Sequence, residues 1–286
     1  SNGGELNTCL LDSAGGFLSK LDLDGNCIWV RYLGELTVGT GLINVEQGQT
    51  YLAGLSSTNG VVGQPIASGT FISKFDDDGN LVWVKELVSG LSPNGNTRYS
   101  PYQLKYHNGS ILVHGAAFQY ADSGPWQVDT VVVGVVEGGG HMLMNLDASN
   151  GVARWIRPLG FGYYTQNTVL RQLMDIDEVG NIHCVGGIAG DSVFFATDTV
   201  LSVPSGESTA YLLSYDQNGS FRSIHTYGNG ASLNTLKMLP NGVHLVHANY
   251  FNGGGSIDIC PGTFGSYLLQ LDSMGACIGM IEAGQV

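Results

Sequence analysis

Charge is what this 286-residue chain has least of: Asp, Glu, Lys and Arg together make up 12% of it, about half the share found in an average soluble domain. Long surface helices, which owe their solubility to Glu, Lys and Arg, are thereby excluded. Positive charge is the scarcer sign. Eleven Lys and Arg against 24 Asp and Glu leave a net charge of −13, which opposes both a nucleic-acid backbone and an anionic bilayer. Nucleic acid is excluded as a partner on that ground, and without an apolar run of about 18 residues membrane insertion by a helix is excluded too. The five cysteines, Cys9, Cys27, Cys184, Cys260 and Cys277, contain no C-x-x-C pair and no metal spacing. Their odd number leaves at least one unpaired, and the reading is of buried thiols. Two further absences remove enzyme classes. No G-x-S-x-G nucleophile elbow is present, and the glycine runs before His141 and at Gly253 to Gly255 open no helix that could cradle phosphate.

What the chain has in excess is glycine, at 43 positions, beside a hydrophobic content of 43% that is ample for a large core. The combination predicts many short strands joined by tight turns. One phrase occurs five times: FLSKLDLDGNCIWVRYLG from Phe17, FISKFDDDGNLVWVKEL from Phe71, MLMNLDASNGVARWIRPLG from Met142, YLLSYDQNGSFRSIHTYG from Tyr211 and YLLQLDSMGACIGMIEAG from Tyr267. Each reads as a hairpin whose turn glycine (Gly25, Gly79, Gly151, Gly219, Gly275) supplies the positive φ of a short connection. A second hairpin follows each of the first four phrases: LINVEQGQTYLAGL from Leu42, YQLKYHNGSILVHGA from Tyr102, QLMDIDEVGNIHCVGGI from Gln172 and LKMLPNGVHLVHAN from Leu236. Two hairpins per repeat make four strands, and a four-stranded antiparallel sheet cannot bury both faces alone, so neighbouring sheets must cover them. The fold class read from this is all-β, a β-propeller of about five four-stranded blades with the first blade incomplete.

The order of apolar strand, Asn-Gly turn, Y-L-A-G or V-H-G-A, long insert and F-x-S-K-x-D-x-x-G-N-x-x-W-V-K resembles the SBBP-type β-propeller repeats of secreted and surface proteins of the Bacteroidota, many of them type IX secretion cargo. The resemblance spans essentially the whole chain and implies a propeller, an extracellular or cell-surface address and no particular ligand. Repeats four and five depart from it, with Ser223 and Gly279 where Trp29, Trp83 and Trp155 stand in the others. Its strand order makes the second-named hairpin the inner strands A and B, and the tryptophan phrase strand C and outer strand D. The expected domain is one propeller over 1–286, with blades at about 1–34, 42–88, 102–160, 171–228 and 233–284. Residue 1 then falls in an A-to-B turn, strand A of the first blade is missing, and the chain reads as a fragment of a longer protein. Tight turns gather on one face. The long B-to-C inserts, about 56–69, 117–141, 189–209 and 249–266, gather on the other.

Function is expected in those inserts and in the long D-to-A connections on the same face, SGLSPNGNTRYSP from Ser89 and GFGYYTQNT from Gly160, because loops on a rigid scaffold carry binding residues. The candidate ligand-binding residues are Arg98, Tyr99, Tyr102, Tyr120, Trp126, Tyr163, Tyr164, Tyr250 and Asn252, joined by Phe251, since aromatic and amide side chains suit glycans and protein partners alike. Asp22 and Asp24, with Asp76 and Asp78, resemble calcium loops, yet they do not complete the ligand pattern and serve a hairpin turn equally well. No cofactor is expected, calcium being the alternative. Of the seven histidines, His244 and His247 point to opposite faces of a strand and form no ligand pair, while His114 and His244 occupy equivalent B strands as packing residues. Asp122, Asp129, Asp191 and Glu207 are the carboxylates on the insert side that a glycosidase would need. The leading functional reading is a non-enzymatic extracellular binding, adhesion or docking module whose partner is a protein or glycan at the cell surface, or a secretion-system component. A structural spacer of a surface or secretion assembly is the alternative, and a propeller glycosidase comes third.

Overall fold

The computed structural model describes residues 5–6, 9–10, 15–34, 42–56, 69–87, 98–119, 126–134, 138–162, 174–189, 193–196, 199–201, 208–229, 231–250, 260 and 265–283. All regular structure among them is β. Strands β1 (Glu5–Leu6) and β2 (Cys9–Leu10) form a small antiparallel pair, followed by the two-stranded sheet of β3 (Gly16–Leu21) and β4 (Cys27–Gly34). Strands β5 (Leu42–Glu46), β6 (Gln49–Ser56), β7 (Gly69–Phe75) and β8 (Leu81–Glu86) make a four-stranded meander in chain order. The next sheet joins β9 (Arg98–His107), β10 (Ser110–Gln119), β13 (Gly138–Asp147) and β14 (Ala153–Gly162), with a separate hairpin of β11 (Trp126–Val128) and β12 (Val131–Gly134) inserted between its second and third strands. The fourth repeats that plan with β15 (Met174–Ile176), β16 (Ile182–Ala189), β19 (Ser208–Tyr215) and β20 (Phe221–Asn229), around an inserted hairpin of β17 (Val193–Ala196) and β18 (Thr199–Leu201). The last sheet is β21 (Ala231–Met238), β22 (His244–Tyr250), β23 (Gly265–Leu271) and β24 (Cys277–Ala283). The protein is thus all-β and assembled from propeller-type blades, as the repeat predicts.

Two departures appear at the first repeat and among the cysteines. Residues after Gly4 do not continue as one strand B: Glu5 pairs with Leu10 and Leu6 with Cys9, so the segment folds back on itself. Cys9 is disulfide-bonded to Cys27 at the start of β4, and Cys260 to Cys277 at the start of β24, each with Cα atoms 5.6 Å apart. Four of the five sulfurs are therefore bridged and not buried thiols. The reason is spatial: linear spacing cannot show that strand starts in two repeats lie beside cysteines 18 and 17 residues earlier. Cys184 alone is a free, buried thiol, and burial pushes its ionisation up.

Contacts divide the chain into two compact units, one of Ser1–Phe118, Asp122–Val135 and Met144–Arg154, the other of Gln119–Ala121, Val136–Leu143 and Trp155–Val286. In the first, Leu18 and Leu33 of the first sheet pack on Leu52, Phe71 and Phe75 of the second. In the second, Val185, Ala210 and Leu212 of the fourth sheet pack on Leu236, Val246, Leu269 and Leu271 of the fifth. Burying such faces, at about 25 cal/mol per Å² of apolar area, is what joins one blade to the next.

The junctions also use the repeated phrase itself. Its turn begins with an Asp that works as a local clamp in four of the five repeats: Asp22, Asp76, Asp216 and Asp272 each accept, at Oδ1, the backbone N–H groups two and four residues on, as Asp177 does in the β15–β16 turn. The glycine that follows lies open to the preceding blade. Trp29 lies on Gly79, Trp83 on Gly151 and Trp155 on Gly219, so that a Cβ on these glycines would sit 2.7–3.0 Å from indole carbons. Each indole N–H donates to a carbonyl of the same turn, Asp77 at 2.9 Å, Ala148 at 3.3 Å and Gln217 at 3.4 Å. Arg31 and Arg157, two residues beyond their tryptophans, donate to the carbonyls of Gly79 and Gly219. Where the fourth repeat has Ser223, the His225 ring covers Gly275 and the Tyr227 hydroxyl donates to its carbonyl at 3.0 Å. The missing tryptophan is thus replaced by residues two and four places along the same strand.

Candidate functional site

The inserts are expected opposite the tight turns, and the structure corrects that expectation. Turns A-to-B and C-to-D do share one end of each blade: Gly48 lies against Asp77, and Ala148 N–H donates to Gly109 O at 2.9 Å. The B-to-C insert of the third sheet leaves from the opposite end, yet its hairpin tip comes back to the turn end. There Asp129, at the β11–β12 turn with φ 55°, accepts the backbone N–H of Ala153, the first residue of β14, at 2.8 Å. Its other oxygen accepts from Lys85 Nζ on β8. Cys260, in the insert of the fifth sheet, is bound to Cys277, the first residue of β24. Cys9 holds the same position, Cys27, in the first sheet. In three repeats, then, the residue two places after the turn glycine is a tether point. Among the described residues, the inserts of the third and fifth sheets each touch their outer strand there, through Asp129 and Cys260.

Of the candidate binding residues, Tyr99 is a core residue: it is 2% exposed, its hydroxyl donates to Val113 O at 3.3 Å, its ring lies against Gly115, and its carbonyl accepts the Thr70 hydroxyl. It presents no ring to a ligand, because glycine at 115 opens a slot that the ring fills. Tyr102 is half-buried on β9, edge-on to the His114 ring with centroids 6.4 Å apart. Arg98 opens β9 opposite Phe118, Trp126 opens β11 opposite Gly134, and Tyr250 closes β22 opposite Gly265. Arg98 and Tyr250 thus sit at strand ends away from the tight turns. Tyr120, Tyr163, Tyr164, Phe251 and Asn252 lie outside the described residues, as do Asp122, Asp191 and Glu207. Asp22 and Asp76 spend their carboxylate oxygens on their own turns, including the side-chain amides of Asn26 and Asn80, bonds that lower both carboxyls. Asp24 and Asp78 are exposed beside them. Among the described residues no three acidic, histidine or cysteine side chains converge as a metal site.

Spacing arguments missed a buried polar cluster at the junction of the fourth and fifth sheets. His183 and His244 meet edge to face, Nδ1 of the first 3.0 Å from Nε2 of the second. His183 also faces Asp177 Oδ2 at 3.2 Å and the Ser214 hydroxyl at 2.9 Å, while His244 Nδ1 donates to the Asp272 carbonyl at 2.9 Å. Beside them Asp175, 3% exposed, accepts Met238 N–H at 2.7 Å and Lys237 Nζ at 3.3 Å. The two histidines stand in corresponding hairpins of successive repeats, a signal that was legible only once the blades were known to be adjacent.

No protein-family model matches the sequence, and no curated protein matches it. Among solved structures, the chain is similar to the Trypanosoma rangeli sialidase in complex with 2,3-difluorosialic acid, at 11% identity and a TM-score of 0.47 over 93% of this chain. It is similar also to the quinohemoprotein alcohol dehydrogenase of Pseudomonas putida HK5, at 10% identity and a TM-score of 0.48 over 96% of this chain. It spans 40% of the length of each. A member of the DUF4221 family from Bacteroides vulgatus is 13% identical, with a TM-score of 0.27, covering 87% of this chain and 83% of that one. The activities in those names stay with those proteins.

Proposed function

We propose that the chain is an extracellular, non-enzymatic binding or docking module of a bacterial surface or secreted protein, of the kind its repeats resemble. The observation that carries this reading is the tethering of the inserts. The Cys260–Cys277 disulfide and the Asp129 bonds pin two of them to rigid sheets, which lowers the ordering cost of a binding surface. Disulfides persist outside the reducing cytosol, which supports the address. The partner is a protein or glycan at the cell surface, or a secretion component. The oxidised protein, applied to a glycan array and to immobilised surface proteins with and without calcium, tests it. Binding lost in the variants Tyr102→Ala and Trp126→Ala with an unchanged melting temperature is the expected result. Binding that survives them but is lost at Asp24→Ala or Asp78→Ala would move the site to the tight turns. A spacer reading is favoured by one observation, the apolar exposure of Ile278, Met280 and Ile281 on the last strand, and would show as burial of that strand against a neighbouring domain.

A further inference from the structure

Proton counting at the His183–His244 contact leads beyond a packing role. Each ring is held at its far nitrogen by an oxygen that can only accept: the Asp272 carbonyl for His244 Nδ1, and the Asp177 carboxylate for His183 Nε2. Asp177 Oδ2 takes the Asn181 side-chain amide as well. Burial works against that carboxylate, but the bonds from Asn181 and His183 overcome it and keep the carboxyl below its usual range. Both far nitrogens therefore carry hydrogen. Two neutral rings have only those two hydrogens, and would set lone pair against lone pair across 3.0 Å. Two imidazolium rings would set N–H against N–H and bury a second charge. One additional proton gives a sound N–H···N bond, and its charge is matched by Asp177.

We propose that His183 and His244 bind a single proton between them, as an N–H···N bridge that latches the fourth sheet to the fifth, and that a second proton breaks the latch. The surroundings fit one charge and not two. Arg222, bonded to Asn181 Oδ1 on the Asp177 side, adds a positive charge nearby. The buried Asp175 is already engaged by Lys237 and Met238 N–H. Asp272 offers its carbonyl to His244, its carboxylate Oδ1 being taken by the N–H groups of Met274 and Ala276. The Ser214 hydroxyl, 2.9 Å from His183 Nδ1, is the donor left for that nitrogen if the bridging proton departs. Burial lowers both imidazoles, and the charge of His183 lowers His244 further, which opposes the second proton. The latch stands at the tight-turn start of β16 and β22, the end opposite to that from which the 189–209 and 249–266 inserts leave.

The sign follows from linkage. In the unfolded chain both histidines titrate near 6.5 and carry two protons in acid; the folded junction carries one. Stability is therefore greatest near that range: below it the folding equilibrium constant falls about tenfold per pH unit until the folded pair accepts its second proton, and above it the bridge's contribution is lost as pH rises until the bridging proton leaves.

Nitrogen-15 NMR of the histidine side chains in the intact chain tests the proposal. Three ring N–H groups on the pair at about pH 6, with a coupling across the His183 Nδ1 to His244 Nε2 bridge, are expected. Two or four N–H groups on the pair in the folded protein would overturn it. Separately, folding equilibria of wild type and the double variant His183→Gln/His244→Gln between about pH 5 and 6.5 should differ in slope by one proton, tenfold per pH unit, whereas a difference of two protons would mean that the folded pair holds none and overturns the proposal. The slope contributed by His141, whose imidazole burial lowers to about 4, is common to both proteins and cancels. An unchanged slope overturns the proposal, and if the variant does not fold the wild-type spectrum decides alone.

Discussion

Glycine at the C-to-D turn carries two separate constraints, and substitutions can tell them apart. Gly79 has φ 77° and a tryptophan face where a Cβ would be, 2.8 Å from the nearest indole carbon, whereas Gly109 has φ 74° with nothing within 4 Å. Gly109→Ala should therefore lose only the left-handed backbone cost of about 1–2 kcal/mol. Gly79→Ala should lose that and an overpacking cost of about 1–3 kcal/mol more, an ordering that urea unfolding checks. Trp155→Ala, at the equivalent junction with Gly219, removes a large buried aromatic and should cost about 3–5 kcal/mol. Among the turn carboxylates Asp147 differs from its counterparts. Its side chain takes the Ser149 hydroxyl and the Arg154 guanidinium, and these hold its carboxyl down to about 2. Because this pKa is depressed, the bonds contribute stability above the ordinary carboxylate range and are lost as pH falls through about 2. A carbon-13 titration of Asp147 should find its midpoint there, and Ser149→Ala should raise it.

Outer strands are the elements most at risk, since the last strand of a blade offers an unpaired row of backbone groups. In three of the five repeats the protein answers at the same place, two residues after the turn glycine. A disulfide closing a loop of 18 residues constrains the unfolded chain by about 3 kcal/mol. Cys9→Ser and Cys260→Ser should each lower stability by that order, and reductant should abolish the difference from wild type. At the third repeat, Asp129→Ala leaves Lys85 and the Ala153 N–H without their carboxylate and should cost about 1–3 kcal/mol. Asp129→Asn, which tolerates the positive φ and keeps an acceptor, should cost less. Melting curves of the four variants decide whether tethers of such different chemistry serve the same end.

At the scale of the whole molecule, blades within each compact unit bury faces on one another, so stability is close to a sum of blade and junction contributions. Loosening one junction should therefore be felt locally. Hydrogen exchange of Gly219→Ala should rise first in β14, β19 and β20, which flank the Trp155 contact, and last in β5 to β8. Uniform loss of protection through all sheets would show instead that the chain opens as one cooperative body. Acidification should likewise loosen the fourth-to-fifth junction, where two buried imidazoles face each other across it.

The repeated phrase, read alone, determined the all-β class, the two hairpins per repeat, the positive φ at each turn glycine and the equivalence of Trp29, Trp83 and Trp155. All of these depend on interactions within about 20 residues or on residue types repeated at matching places, and local sequence records both. The odd cysteine count required at least one unpaired thiol, which is Cys184, but the reading of buried thiols did not hold for the other four. Which cysteines join, that Tyr99 fills a slot at Gly115, that His225 and Tyr227 stand in for an absent tryptophan, and that two of the inserts reach the tight-turn end through Asp129 and Cys260 were decided by tertiary structure. So was the meeting of His183 and His244, 61 residues apart. Each of these depends on which strand ends adjacent blades bring together, and that proximity is created by packing sheet upon sheet, a step that the linear order of residues does not record.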